Sequence, residues 1–176
     1  GFVLSNADEQ STFGVEFDAR ISPADNLSFF TAVTYLKPEY DSYPGGSALI
    51  APSYSVVPRD LSGTRPAGIP DWTVAVGGNY ALPLGETTDL VFNADYYMEG
   101  STQITGGLTN FRRSTENLSA SITLAFDMGL EVTAWGRNLT NDRYITTLFP
   151  SVAQAGSLSG YRNQPRTYGI SAKYSF

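Results

Sequence analysis

The sequence predicts an all-β chain, part of an antiparallel transmembrane β-barrel, with about seven strands drawn from a larger wall. Three observations carry that prediction. Apolar and polar side chains alternate with a two-residue period through seven segments, the mark of strands with one greasy and one wet face. The connections between the segments alternate long and short, an asymmetry that membrane barrels have and that a soluble all-β domain has no reason to adopt. No apolar run approaches the roughly 18 residues of a membrane helix. A composition 41% apolar, 13% aromatic and only 16% charged is also poor in charge for a water-soluble domain.

Residues 10–22 put Phe13, Val15, Phe17, Ala19 and Ile21 on one face and Gly14, Glu16, Asp18 and Arg20 on the other. Pro23 presets φ and Asp25 and Asn26 close side-chain turns, so 23–26 reads as a tight turn. Residues 27–37 return with Leu27, Phe29, Thr31, Val33 and Tyr35 on the apolar face, while Phe30 and Leu36 break the parity. The stretch 39–71 has no sustained period and is rich in Pro and Gly, a structureless functional loop by expectation. Residues 72–82 alternate again, with Trp72, Val74, Val76, Gly78, Tyr80 and Leu82 on one side. A short turn at 83–87 leads into 89–99, where Leu90, Phe92, Ala94, Tyr96 and Met98 oppose Asp89, Asn93, Asp95, Tyr97 and Glu99.

A second long connection, 100–112, precedes a strand at 113–126 whose apolar set is Leu118, Ala120, Ile122, Leu124 and Phe126. Asp127, Met128 and Gly129 make a minimal turn, and 130–138 runs back with Glu131, Thr133, Trp135 and Arg137 on its polar face. A third long connection, 145–163, leads to a terminal strand over 164–176 in which Tyr168, Ile170, Ala172 and Tyr174 alternate with small or polar residues up to Phe176. A bare terminal strand of this kind invites edge pairing in water, whereas a closed barrel has no edge.

With short turns below and long loops above, Phe29, Tyr80, Phe92, Phe126 and Tyr174 collect at the lower rim. Tyr35, Trp72, Tyr96, Tyr144 and Tyr168 collect at the upper one, and two such levels make an aromatic girdle. The last strand then runs down, and the C-terminus is periplasmic. A single-chain bacterial barrel needs an even strand number of at least about eight. The seven strands are therefore expected to be the C-terminal part of a longer chain, with the first residues in a loop or at the upper end of strand one.

The sequence has no cysteine, so no disulfide or thiolate metal site is available, and no histidine, which removes the usual general base and imidazole ligand. The acidic residues do not cluster as a metal cage requires, and Gly45-Gly46 and Gly106-Gly107 lack the Lys and helix of a phosphate loop. No catalytic, cofactor or metal residue is assigned, and an enzyme is not expected. A net charge of −6 without a basic run argues against nucleic acid.

Residues 135–144, Gly160-Tyr161 with 164–169 and the terminal Phe176, and residues 11–17 together resemble the TonB-dependent outer-membrane receptors of the iron-complex type. The stretch Trp135-Gly136-Arg137-Asn138-Leu139-Thr140-Asn141-Asp142-Arg143-Tyr144 is similar to the family's W-G-x-N-L-T-D-x-x-Y motif, with Asn141 where Asp is commoner. Gly160-Tyr161, then Gln164-Pro165-Arg166-Thr167-Tyr168-Gly169 and the terminal Phe176, resemble its ending. Upstream, residues 11–17 are similar to its S-x-G-V-E-x-E strand opening, with Asp18 for the second Glu.

The resemblance implies a barrel of roughly 22 strands filled by an N-terminal plug. Energy would come from a TonB-type coupling protein of the inner membrane, with the coupling box and signal peptide outside this sequence. It also implies a small-molecule ligand, most often an iron–siderophore chelate and sometimes cobalamin or an oligosaccharide. The C-terminal strand would be read by the barrel-assembly machinery. A passive porin or structural outer-membrane barrel is the competing expectation.

Anionic chelates need Arg for charge-assisted hydrogen bonds and aromatics for flat contact. The loops offer Tyr40, Tyr43, Tyr54, Arg59 and Arg65, then Phe111, Arg112 and Arg113, then Tyr161 and Arg162. Asn138, Leu139, Thr140, Asp142 and Tyr144 form a turn-rich cluster expected to end a strand, with Gly169 and Phe176 as motif positions. Pro165 begins the last strand, where a missing N–H costs least. Arg166 falls on the outward parity, facing either lipopolysaccharide phosphate or a loop carboxylate. The inward acids and Arg137 are expected to line the lumen and touch the plug.

Overall fold

The structure, a computed structural model, describes residues 6–176, and the expectation for the first residues lies outside them. Eleven strands follow in order: β1 (Glu9–Ala24), β2 (Leu27–Ser42), β3 (Ser47–Ile50), β4 (Ser55–Pro58), β5 (Trp72–Pro83), β6 (Thr88–Gln103), β7 (Arg112–Phe126), β8 (Leu130–Arg137), β9 (Ile145–Pro150), β10 (Leu158–Arg162) and β11 (Thr167–Tyr174). Seven of them form one antiparallel sheet in the order β1-β2-β5-β6-β7-β8-β11, and β3–β4 and β9–β10 are separate hairpins. No helix of the described residues is long and apolar enough to cross a membrane.

The large sheet is a single layer. The accessible surface of the chain is 11629 Å², against roughly 8,400 Å² for a compact monomer of 19.0 kDa. On the apolar face Phe13, Phe17, Ile122 and Ile170 stand exposed, Ile170 by 78%. No side chain of the alternating apolar set is buried. The opposite face is a ladder of cross-strand polar pairs. Ser28 Oγ donates to Asn79 Oδ1 at 2.8 Å, Thr123 and Thr133 share a 2.8 Å hydroxyl bond, and Lys173 meets Glu131 at 3.3 Å.

The two residues that break parity have a cross-strand explanation. Phe30 pairs with Gly77 and its ring occupies the place of the missing side chain, so that a Cβ there would lie 2.6 Å from the ring. Leu36 likewise covers Gly14. A bulky apolar group fits on the polar face where its neighbour has surrendered its own volume. At the short-turn end Gly129 has φ +86 and its missing Cβ leaves room for the Ser175 carbonyl, so the three-residue turn needs glycine.

Several expectations are corrected. The connection 39–71 is not structureless: β2 continues to Ser42 and the β3–β4 hairpin lies within it. The third connection is largely the β9–β10 hairpin, and β6 extends to Gln103. Backbone groups above the wall still need partners, and strand pairing supplies them. The terminal strand stops at Tyr174, leaving Phe176 fully exposed beyond it, although Ser175 N still donates to Gly129 O.

Candidate functional site

Among the described residues the buried side chains of Ala48, Leu49 and Leu108 all lie at the long-loop end, which forms a packed crown. The first and second loops are stitched by Leu49 N to Gly106 O at 3.1 Å and Gly68 N to Gln103 O at 2.9 Å. Thr102, almost wholly enclosed, donates its hydroxyl to Ile69 O at 3.0 Å. The third loop joins through Arg113, whose Nη1 donates to Thr146 O at 3.2 Å.

Three cavities run around the second loop. One of about 650 Å³ is lined by Tyr40, Tyr43, Arg59, Asp60, Arg65 and Gln103 among others. A smaller one of about 350 Å³ has Tyr54, Arg59 and Phe111 in its wall. A third of about 530 Å³ lies between the second and third loops, with Phe111, Arg112, Arg113, Asp142, Arg143, Tyr144 and Arg162. Arg59 is shared by the first two and Phe111 by the last two, so the cavities form a chain. Of the loop residues proposed from sequence, Tyr161 alone lines none of these cavities, and its ring meets that of Phe149 at a tilt, 5.5 Å between centroids.

The arginines divide by what they already hold. Arg65 pins the first loop: its guanidinium donates to Leu36 O and Ile69 O and pairs with Asp71 at 2.6 Å. Arg112 donates to the hydroxyl and carbonyl oxygens of Ser101. Arg113 is 20% exposed, sits 3.6 Å from Glu99 and packs over the Tyr144 ring at 5.5 Å. Its Nε is buried without an acceptor. Arg143 and Arg162 are exposed and carry no ion pair among the described residues.

Two groups in the first loop have shifted acidity. Partial burial, with a smaller contribution from Tyr43, pushes the Tyr40 phenol above its ordinary value. The Ser62 hydroxyl and backbone N–H both donate to Asp60, at 2.6 and 2.9 Å, and hold its carboxyl below the usual range.

The turn-rich motif after β8 is a polar hub. Asn138, 4% exposed with φ +50, donates Nδ2 to Asp142 O and Gln164 O. Its Oδ1 accepts from Asp142 N and the Thr140 hydroxyl. Asp142 takes the Glu116 N–H at 2.8 Å, Thr140 donates to Glu116 O, and Leu139 folds over Gly136. Gly169 leaves room for the Trp135 ring, which Arg137 covers at 5.4 Å. Pro165 and Arg166 precede β11, and Arg166 is exposed without an ion pair among the described residues. Tyr144 leaves the expected aromatic girdle, because its ring packs on Arg113 beside the Glu99 cluster of the polar face.

Sequence reasoning passed over Arg143, which stands beside the motif and lines the same cavity as Arg162. The signal was an arginine in the turn that leads from one loop-flanking strand to the next. No group of three or more His, Cys, Asp or Glu residues able to hold a metal occurs among the described residues.

A family model described as TonB dependent receptor-like, beta-barrel, matches residues 1–139. Neither the curated proteins nor the solved structures give a match.

Proposed function

We propose, from the premise that the chain belongs to the TonB-dependent receptor-like β-barrel family, that it helps to bind and import an iron–siderophore complex. The family is one of outer-membrane transport receptors that take a ligand and couple to TonB, and it is not an enzyme family. The observation that carries the proposal is the division of labour within the chain. A one-layer wall with an exposed apolar face supports the crown, whose linked cavities are lined by arginines and aromatics.

In this reading the seven strands are the C-terminal part of a barrel of about 22 strands. The polar ladder faces the receptor's own plug, the apolar face meets outer-membrane lipid, and the crown is extracellular with the C-terminus periplasmic. Arg166 faces lipopolysaccharide phosphate, and the barrel-assembly machinery reads the terminal strand. Tyr40, Tyr43, Tyr54, Arg59, Phe111, Arg112, Arg113 and Arg162 are the ligand-facing group. Arg65 supports the first loop from the same cavity wall.

The test is growth and radio-iron uptake under iron limitation with the gene deleted and restored. Uptake of ferric chelate is expected to fall on deletion and return on restoration. Unchanged iron uptake alongside lost cobalamin or oligosaccharide uptake reassigns the ligand. Leakage of unrelated small solutes through the restored protein, independent of TonB, marks a passive pore.

A further inference from the structure

We infer that the cavity between the second and third loops is an oxyanion site, taking a carboxylate, catecholate or phosphate group carried by a soluble ligand. The inference rests on the import reading above and narrows it to one place.

Four arginines, Arg112, Arg113, Arg143 and Arg162, take part in the lining of about 530 Å³ against one acidic residue, Asp142. That carboxylate is already engaged by the Glu116 N–H. Glu99 draws on Arg113 from the polar face at 3.6 Å and leaves the buried Nε without an acceptor. Like charges lining one cavity repel, and an anion between them relieves that repulsion.

The residues differ in what each brings. Arg112 is held in place by Ser101, so its charge is fixed at the rim. Arg143 and Arg162 enter the cavity wall from opposite ends of the third loop and are free to close on a ligand. Phe111 and Tyr144 supply flat apolar surface beside them. The first-loop cavity lacks this excess: Arg65 there is paired with Asp71, and Asp60 lies in the same wall as Arg59. Arg113 also ties the third loop to β7 through Thr146, so a ligand that draws on this arginine loads the contact that holds the loop.

The experiment titrates the intact receptor in detergent micelles with two metal-free soluble probes, tricarballylate and inorganic pyrophosphate. Parallel titrations use lipopolysaccharide with and without its lipid A phosphates. The receptor is expected to bind a soluble probe, and the paired substitution Arg143→Gln with Arg162→Gln to weaken that binding by about tenfold or more. Arg20→Gln on the wall should leave it unchanged. Arg113→Gln should weaken binding and also raise protease cleavage within 145–162.

Equal binding by the paired variant, no binding of either soluble probe, or arginine-dependent binding only to phosphorylated lipopolysaccharide would overturn the proposal. Iron uptake that persists while probe binding ignores the arginines sinks this site and spares the import reading. Arginine-dependent probe binding with no uptake phenotype does the reverse.

Discussion

The wall and the crown of this chain obey opposite burial rules. In the wall Ile122 is 48% exposed in the middle of β7, whereas in the crown Leu49 is 5% exposed on a four-residue strand. A long, regular strand leaves its apolar residues uncovered and a short, irregular segment hides its own. The difference teaches that the two regions fit different solvents. The crown packs as a small water-soluble protein does, with enclosed aliphatics and a knit of loop hydrogen bonds, and the wall relies on hydrocarbon to cover it.

The largest expected effect comes from forcing the wall to obey the crown's rule. Ile122→Arg on the apolar face should destabilise the folded receptor in bilayers by about 2–4 kcal/mol. Urea titration in vesicles or loss of heat-modifiable migration would read it, and an unchanged midpoint would mean that this face does not meet lipid. In the crown, Leu49→Ala should cost about 2–3 kcal/mol locally through its cavity. Limited proteolysis should then cut within 43–63 while the wall midpoint stays put; simultaneous collapse of both would show that they are not separate units.

At the junction, Asn138→Ala removes four hydrogen bonds around one buried side chain. It should cost about 1–3 kcal/mol through groups left unpaired. Amide exchange is expected to rise at Asp142, whose N–H Asn138 accepts, and at Tyr144 in the same turn, and a rise confined to residue 138 would contradict the hub. The smallest effect is pH-dependent. The Asp60 carboxyl is held below its unfolded value, so its contribution to the first loop is complete above that value and fades as pH falls through the folded one. The protection factor of the Ser62 amide, taken against its intrinsic rate at each pH, should fall under acid, and Asp60→Asn should remove that acid sensitivity; a protection factor flat with pH would sink the assignment.

What the sequence made legible was local. Period-two alternation in 113–126 or 72–82 is fixed by neighbours in the chain, and the structure has strands there. The meaning of Phe30 and Leu36 was hidden because it depends on Gly77 and Gly14, which meet them only through cross-strand register. The β3–β4 hairpin was hidden for a related reason: with four residues per strand it has too few positions to show a period, and contact with Gly106 of the second loop helps to fix it. At the site, the types of residue were readable from composition, but their partners were not. Arg65 and Arg113 look alike in the sequence, and the structure gives one a carboxylate on the loop and leaves the other with a donor to spare.

The most direct test uses single-cysteine spin labels: these 176 residues hold no native cysteine, and any elsewhere in the receptor is replaced by serine. Labels at 120, 122 and 124 and at 121, 123 and 125 of the intact receptor in bilayers would be probed with oxygen, which concentrates in hydrocarbon, and with a polar nickel chelate. The account predicts that the even positions favour oxygen and the odd ones do not, alternating residue by residue along β7. Six positions with the same preference, or even positions shielded from both probes, would contradict it.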